Sequence, residues 1–170
     1  MFEVMRAAVQ RGLRIGTHAI GDRAVRTLLD VYERVLKANP GLTSGTLVIE
    51  HAFLADKTQR ERTIKLGVAV TVQHALLHSP GESLVKFWGH ERTRRAMPVK
   101  ARIDEGAQVS AGTDYPIGFY EPIHTIWGMV TRETASVGVQ GPEYAVDRWT
   151  ALRLSTTAGA ELHGESHTLG

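Results

Sequence analysis

Apolar positions recur at two spacings along this chain, and the two alternate. Residues 2–11 place Phe2, Met5, Val9 and two alanines on one side of a helical repeat, with Gly12 as the stop. Leu13-Arg14-Ile15-Gly16-Thr17-His18 then predicts a short strand. Residues 22–38 carry Val25, Leu28, Leu29, Tyr32 and Val35 at helical spacing, with Asp22 as the expected N-cap and Asn39-Pro40-Gly41 as the end. The cycle repeats with a β-branched strand at 46–51, a helix at 56–66 closed by Gly67, and an almost wholly apolar strand at 68–73. Strands of that last kind are covered on both faces of a parallel sheet. An irregular stretch at 74–90 leads to a helix at 91–105 with a break near Pro98. A fourth strand follows at 108–114, then helical stretches at 122–134 and 147–162 joined by a link containing Gly138, Gly141 and Pro142. The order α-βα-βα-βα-βα predicts an α/β fold with a parallel sheet. A strand recurs about every thirty residues, enough for one right-handed crossover each.

Composition narrows the functions open to such a fold. The 170 residues are one domain's worth of chain, and 42% apolar with 22% charged residues is ordinary for a globular protein. Cysteine is absent, which removes disulfides, thiolate metal clusters and cysteine catalysis. A formal charge of +2, with Arg92, Arg94 and Arg95 read as a solvated helix face, gives no invitation to nucleic acid. Glu3 and Arg6 interrupt any apolar leader, and nothing approaches a membrane span, so the expected location is the cytoplasm and no membrane partner is expected. Gly16 to Gly21 lacks both the GxGxxG spacing and the Walker lysine of a nucleotide loop.

The chemistry gathers at strand ends. The first strand ends at His18, the second at His51 and the fourth at Asp114, 33 and 63 positions apart. Parallel strands put their C-terminal ends at one rim, where α/β barrels place their active sites. Imidazoles and a carboxylate there are a donor set for zinc, iron or manganese. One histidine in an apolar stretch is more often a core or capping residue; three such residues at matched strand ends weigh against that reading. His74 and His78, just after the third strand, are weaker candidates for substrate contact, against the alternative of exposed loop histidines. His90 and His124 fit no pattern. His163 and His167 read as a frayed tail, and Trp88, Trp127 and Trp149 as core or interface aromatics.

The words around these residues, His18-Ala19-Ile20-Gly21-Asp22-Arg23-Ala24, Ile49-Glu50-His51-Ala52 and Ser110-Ala111-Gly112-Thr113-Asp114-Tyr115-Pro116, with Val72-Gln73, resemble motifs of the amidohydrolase superfamily. The branch they are most similar to is amidohydrolase family 3, which includes N-substituted formamide deformylase-like enzymes. The resemblance implies a partial TIM-like (β/α)8 barrel made of strands 5–8 and their helices, a single domain over residues 1–170 lacking strands 1–4. It implies His18 and His51 as metal ligands, and Asp114 as a metal ligand that also accepts the proton of the attacking water. The metal would be divalent, zinc by preference, and the reaction hydrolysis of a carbon–nitrogen bond in a small-molecule amide, formamide or cyclic amide.

Family members also carry a His-x-His pair on strand 1 and a bridging residue on strand 4, and this sequence has neither. The resemblance therefore implies a weak or empty metal site in the chain by itself. The inward side chains of Val48, Val70 or Val72, together with two open sheet edges, call for self-association or for a missing N-terminal half. Two other functions stay open: a catalytically silent half-barrel or interaction module, and a deaminase of the same superfamily.

Overall fold

The computed structural model describes residues 1–169. The chain runs α1 (Phe2–Val9), β1 (Ile15–Ala19), α2 (Asp22–Ala38), β2 (Leu47–His51), α3 (Lys57–Lys65) and β3 (Ala69–Val72). It continues with α4 (Ala75–His78), α5 (Gly81–Trp88), α6 (His90–Arg94), α7 (Val99–Asp104) and β4 (Val109–Ala111). It closes with α8 (Pro122–Thr131), a 3₁₀ turn (Pro142–Tyr144), α9 (Arg148–Ser155) and α10 (Thr157–His163). The four strands form one sheet in the order β1-β2-β3-β4, every pair parallel. The predicted α/β class and strand order are therefore what the chain adopts. Among the described residues, no helix is long and apolar enough to cross a membrane.

Register sorts the strand residues onto two faces. Leu47, Ile49, Val70, Val72 and Val109 share one face, with Ile49 opposite both Thr17 and Val70, and Val70 opposite Val109. These side chains are buried in the main core with Val25, Leu28, Leu29, Tyr32 and Val35 of α2. At roughly 1.5–3 kcal/mol for each fully buried aliphatic side chain, this layer is the main driving force for folding. Tyr32 ties the layer to the sheet, its hydroxyl donating to the Val48 carbonyl at 2.7 Å. Burial pushes the phenol up to about 12.

Several boundaries differ from those predicted. Gly21, not Asp22, is the N-cap of α2; Asp22 sits in the first turn, accepting from the Arg23 amide and pairing with Arg92 at 2.9 Å. The break expected near Pro98 is present: α6 ends at Arg94, α7 begins at Val99, and Arg132 donates to the carbonyls of Ala96 and Met97 (2.8 and 2.7 Å) in the stretch between them. The helix expected over 147–162 breaks at Thr156, whose hydroxyl donates to the Leu152 carbonyl. The stretch read as irregular holds α4 and α5. Trp149 is exposed rather than part of a core.

The valines read as inward divide between the faces. Val70 and Val72 face the helices and are fully buried. Only Val48 lies on the other face, where Leu162 of α10 covers it together with Ala69.

Candidate functional site

The second face of the sheet is mostly polar. Register aligns Gly16, Val48 and Ala69 in one row and His18, Glu50, Thr71 and Ser110 in the next, two residues nearer the strand C-termini. An open cleft of about 630 Å³ runs over this face, lined by Gly16, Val48, Glu50, Thr71, Leu162 and His163. Gly16 leaves room for the carboxylate there: a Cβ at that position would lie 2.6 Å from Glu50 Oε1.

His51 joins this face by departing from strand geometry. Alternation would send its side chain to the helix side with Ile49. Its φ of 75° instead turns the ring back toward His18. The two imidazoles meet at 4.6 Å between centroids, nearly perpendicular at 77°. Left-handed backbone at two consecutive non-glycine residues, His51 and Ala52, is uncommon and needs support from the surrounding fold. That support comes from Arg102, which is completely buried and donates Nη2 to the Ala52 carbonyl at 2.5 Å. Burial, with the nearby Arg60 charge, pushes the Arg102 guanidinium down to about 9. Directly after them, the Phe53 carbonyl accepts from the Met97 amide at 2.7 Å and the Leu54 amide donates to the Ile20 carbonyl at 3.0 Å. The loop after β2 is thus locked to β1's exit and to the chain before α7.

The buried edge of His51 is occupied. Its Nδ1 lies 2.6 Å from Gln73 Oε1; Gln73 Nε2 donates to Thr71 Oγ1 at 2.8 Å, and the Thr71 hydroxyl donates to Glu50 Oε2. Gln73 and His51 are both buried. Glu50 and Gln73 stood inside the family-like words of the sequence without an assigned role, and Thr71 had no signal except its place one residue after Val70. Period-two alternation with the register would have put Glu50 and Thr71 side by side.

The remaining predicted residues lie elsewhere on the rim. Asp114 follows β4 by three residues and is exposed, with φ 57°; its carbonyl accepts from the amides of Ile117 and Gly118. His74 is buried rather than in an exposed loop. It fits against Gly128 of α8, where a Cβ would fall 1.9 Å from its Nδ1, and stacks edge-on to Trp127. Burial, aided by the charges of Arg132 and His78, lowers it to about 3. His78 places Nδ1 3.0 Å from the Glu133 carbonyl and packs on Phe119 and Trp127. His74 and His78 therefore belong to an aromatic cluster with Phe119, His124 and Trp127.

A divalent metal fits the imidazole pair in donor chemistry. The two rings adjoin, and His51 is already held by a hydrogen bond on its Nδ1, as metal-bound histidines generally are on their second nitrogen. Among the described residues, no group of three or more histidine, aspartate or glutamate side chains stands close enough to hold a metal ion. His18 and His51 are two imidazoles without a third such group beside them among the described residues, and Asp114 does not join them in this conformation.

Comparison with known proteins gives a consistent picture. The family described as "Amidohydrolase family" matches residues 1–170. The N-substituted formamide deformylase of Arthrobacter pascens is 31% identical over 164 residues, 96% of this chain and 30% of the deformylase. Two crystal structures of uncharacterized metal-dependent hydrolases are similar over 99% of this chain and 33% of theirs. The one from Pyrococcus horikoshii OT3 has TM-score 0.84 at 29% identity, and the one from Pyrococcus furiosus 0.76 at 30%. The chain spans about a third of the length of each of these relatives.

Proposed function

The chain belongs to the amidohydrolase family, and from that premise we propose that it supplies part of the active site of a metal-dependent hydrolase acting on carbon–nitrogen bonds. In this reading β1–β4 are strands 5–8 of a (β/α)8 barrel. Strands 1–4 come from the rest of a longer polypeptide or from an associated chain. The coverage of a third of each relative supports that division.

The observation that carries the proposal is the His18–His51 pair, brought to 4.6 Å at the C-terminal ends of adjacent parallel strands by a left-handed backbone turn at His51. His18 and His51 would hold a divalent metal, with zinc favoured by the nitrogen donors. When bound, such an ion polarises a carbonyl and makes water acidic near neutral pH. Asp114 would serve both as the third ligand and as the proton carrier. Its exposed carboxylate accepts a proton from the attacking water and returns it to the departing nitrogen, so that the amine leaves neutral. Non-peptide amides, formamides and cyclic amides are the substrate class. His74, held neutral by burial, and His78 stand beside the aromatic residues on the same rim as weaker candidates for substrate contact.

Aspartate-to-asparagine substitution at the residue matching Asp114 in a full-length relative tests the assignment. Hydrolysis of a simple N-substituted formamide should fall by about 100-fold or more with circular dichroism unchanged. Undiminished turnover would remove Asp114 from the reaction. One observation favours a second reading, a silent half-barrel that serves as an interaction module: Asp114 and the histidine pair do not form a three-donor cluster among the described residues. Complementation separates the two, since a silent module restores no hydrolysis when joined to an active N-terminal half.

A further inference from the structure

We propose that Glu50, Thr71 and Gln73 form a one-way hydrogen-bond relay that fixes the tautomer of His51, which makes Gln73 a positioning residue for that imidazole. The ligand role of His51 rests on the function proposed above; the relay itself rests on geometry alone.

The direction follows from counting protons. A hydroxyl has one proton to donate, and an ionised carboxylate can only accept. Thr71 therefore gives its proton to Glu50 Oε2. The Gln73 atom 2.8 Å from Thr71 Oγ1 must then be the donor, its amide nitrogen, which leaves the carbonyl oxygen facing His51. That oxygen accepts and cannot donate, so at 2.6 Å the proton on the intervening line belongs to His51 Nδ1. Turning the Gln73 amide over would present two donors to a neutral His51 only by asking Thr71 for a second proton. The conclusion thus follows from the contacts and from the charge at the end of the chain. His51 Nε2 is left with its lone pair, the nitrogen free to bind a metal.

Two structural features hold the anchor in place. Gly16 has no Cβ where one would stand 2.6 Å from Glu50 Oε1, so β1 leaves room for the carboxylate beside Thr71. Burial of His51 and Gln73 shields their bond from water, which would otherwise compete for both tautomers. The relay links three adjacent positions across β2 and β3, with Glu50 and Thr71 in direct register. Gln73, the residue directly after β3, extends the pair to His51.

The test is long-range proton–nitrogen NMR on the 170-residue chain labelled at histidine, at about pH 8.5, where an ordinary imidazole is neutral. His51 should show a protonated Nδ1 and an unprotonated Nε2. Gln73→Leu should collapse that preference to a mixture of tautomers, Thr71→Val should do the same more weakly, and Thr71→Ser should restore it. Zinc titration of the same samples should show affinity about 10- to 100-fold lower in Gln73→Leu than in the parent, with Thr71→Ser unchanged. If Gln73→Leu does not fold, the Thr71→Val and Thr71→Ser pair gives the same comparison at a half-buried site. His51 protonated on Nε2 in the parent, or a tautomer indifferent to both Gln73→Leu and Thr71→Val, overturns the relay. The expected tautomers with no zinc bound by any sample would uphold the relay and instead refute the ligand role of His51.

Discussion

On the helix-covered face of the sheet Leu47, Ile49, Val70, Val72 and Val109 are buried in a continuous apolar layer, while the opposite face carries Gly16, His18, Glu50, Thr71 and Ser110, with an open cleft along Gly16, Glu50 and Thr71. The first face is shaped by transfer of hydrocarbon from water, which is indifferent to the identity of each side chain so long as volume and period are kept. The second is shaped by donors and acceptors that must match one another individually. His51 lies at the boundary: its alternation assigns it to the first face, and its backbone conformation delivers it to the second. Stability and chemistry are thereby separated across one layer of backbone, and each can be perturbed alone.

The sharpest contrast should come from truncation on the two faces. Ile49→Ala removes a fully buried side chain and should cost about 2–5 kcal/mol in urea unfolding. His18→Ala, on the exposed side, should change stability by no more than about 0.5 kcal/mol. Equal losses would mean that the polar face is structural.

The next effect concerns His74, a titratable group enclosed among helices. Its folded value of about 3 lies below the ordinary 6.5, so between those values the unfolded chain binds a proton that the folded chain does not. Stability contributed by neutral His74 is complete above pH 6.5 and falls as the pH drops toward 3, by an amount on the order of a few kcal/mol. Urea midpoints measured from pH 7 to 4 should fall less steeply in His74→Leu than in the parent. Identical slopes would show that His74 is not buried in solution.

The smallest effect should be at Gly16. Alanine there must displace the tip of a flexible glutamate rather than backbone, so stability should change by about 1 kcal/mol or less. The displaced Glu50 should nevertheless weaken its bond to Thr71, visible as slower-to-faster hydroxyl proton exchange in NMR. Unaltered exchange would show that Gly16 is not needed for the Glu50 position.

Much of the fold could be read directly from the sequence. The apolar run Val68–Val72 and the β-branched run ending at His51, each preceded by a helix and a stop, determine strands and a parallel order because local period and crossover length act over short distances. Pro98 marks the break between α6 and α7 in the sequence, whereas the break at Thr156 and the grip of Arg132, 35 residues beyond Met97, on the Ala96 and Met97 carbonyls follow from no local pattern. The same limit applies at the site. His18 and His51 could be placed at neighbouring strand ends, but the turn of His51 toward His18 is supported by a buried guanidinium 51 positions away. Gln73 and Thr71 acquire a role only through contacts across the sheet.

Zinc uptake by the chain tests the account most directly, measured by competition with a chromophoric chelator for the parent, His18→Ala, His51→Ala and the double variant. Binding should be weak in the parent and at least about 10-fold weaker in each single variant, with little further loss in the double variant because both rings serve one ion. Uptake by the parent no stronger than by the double variant would contradict the account.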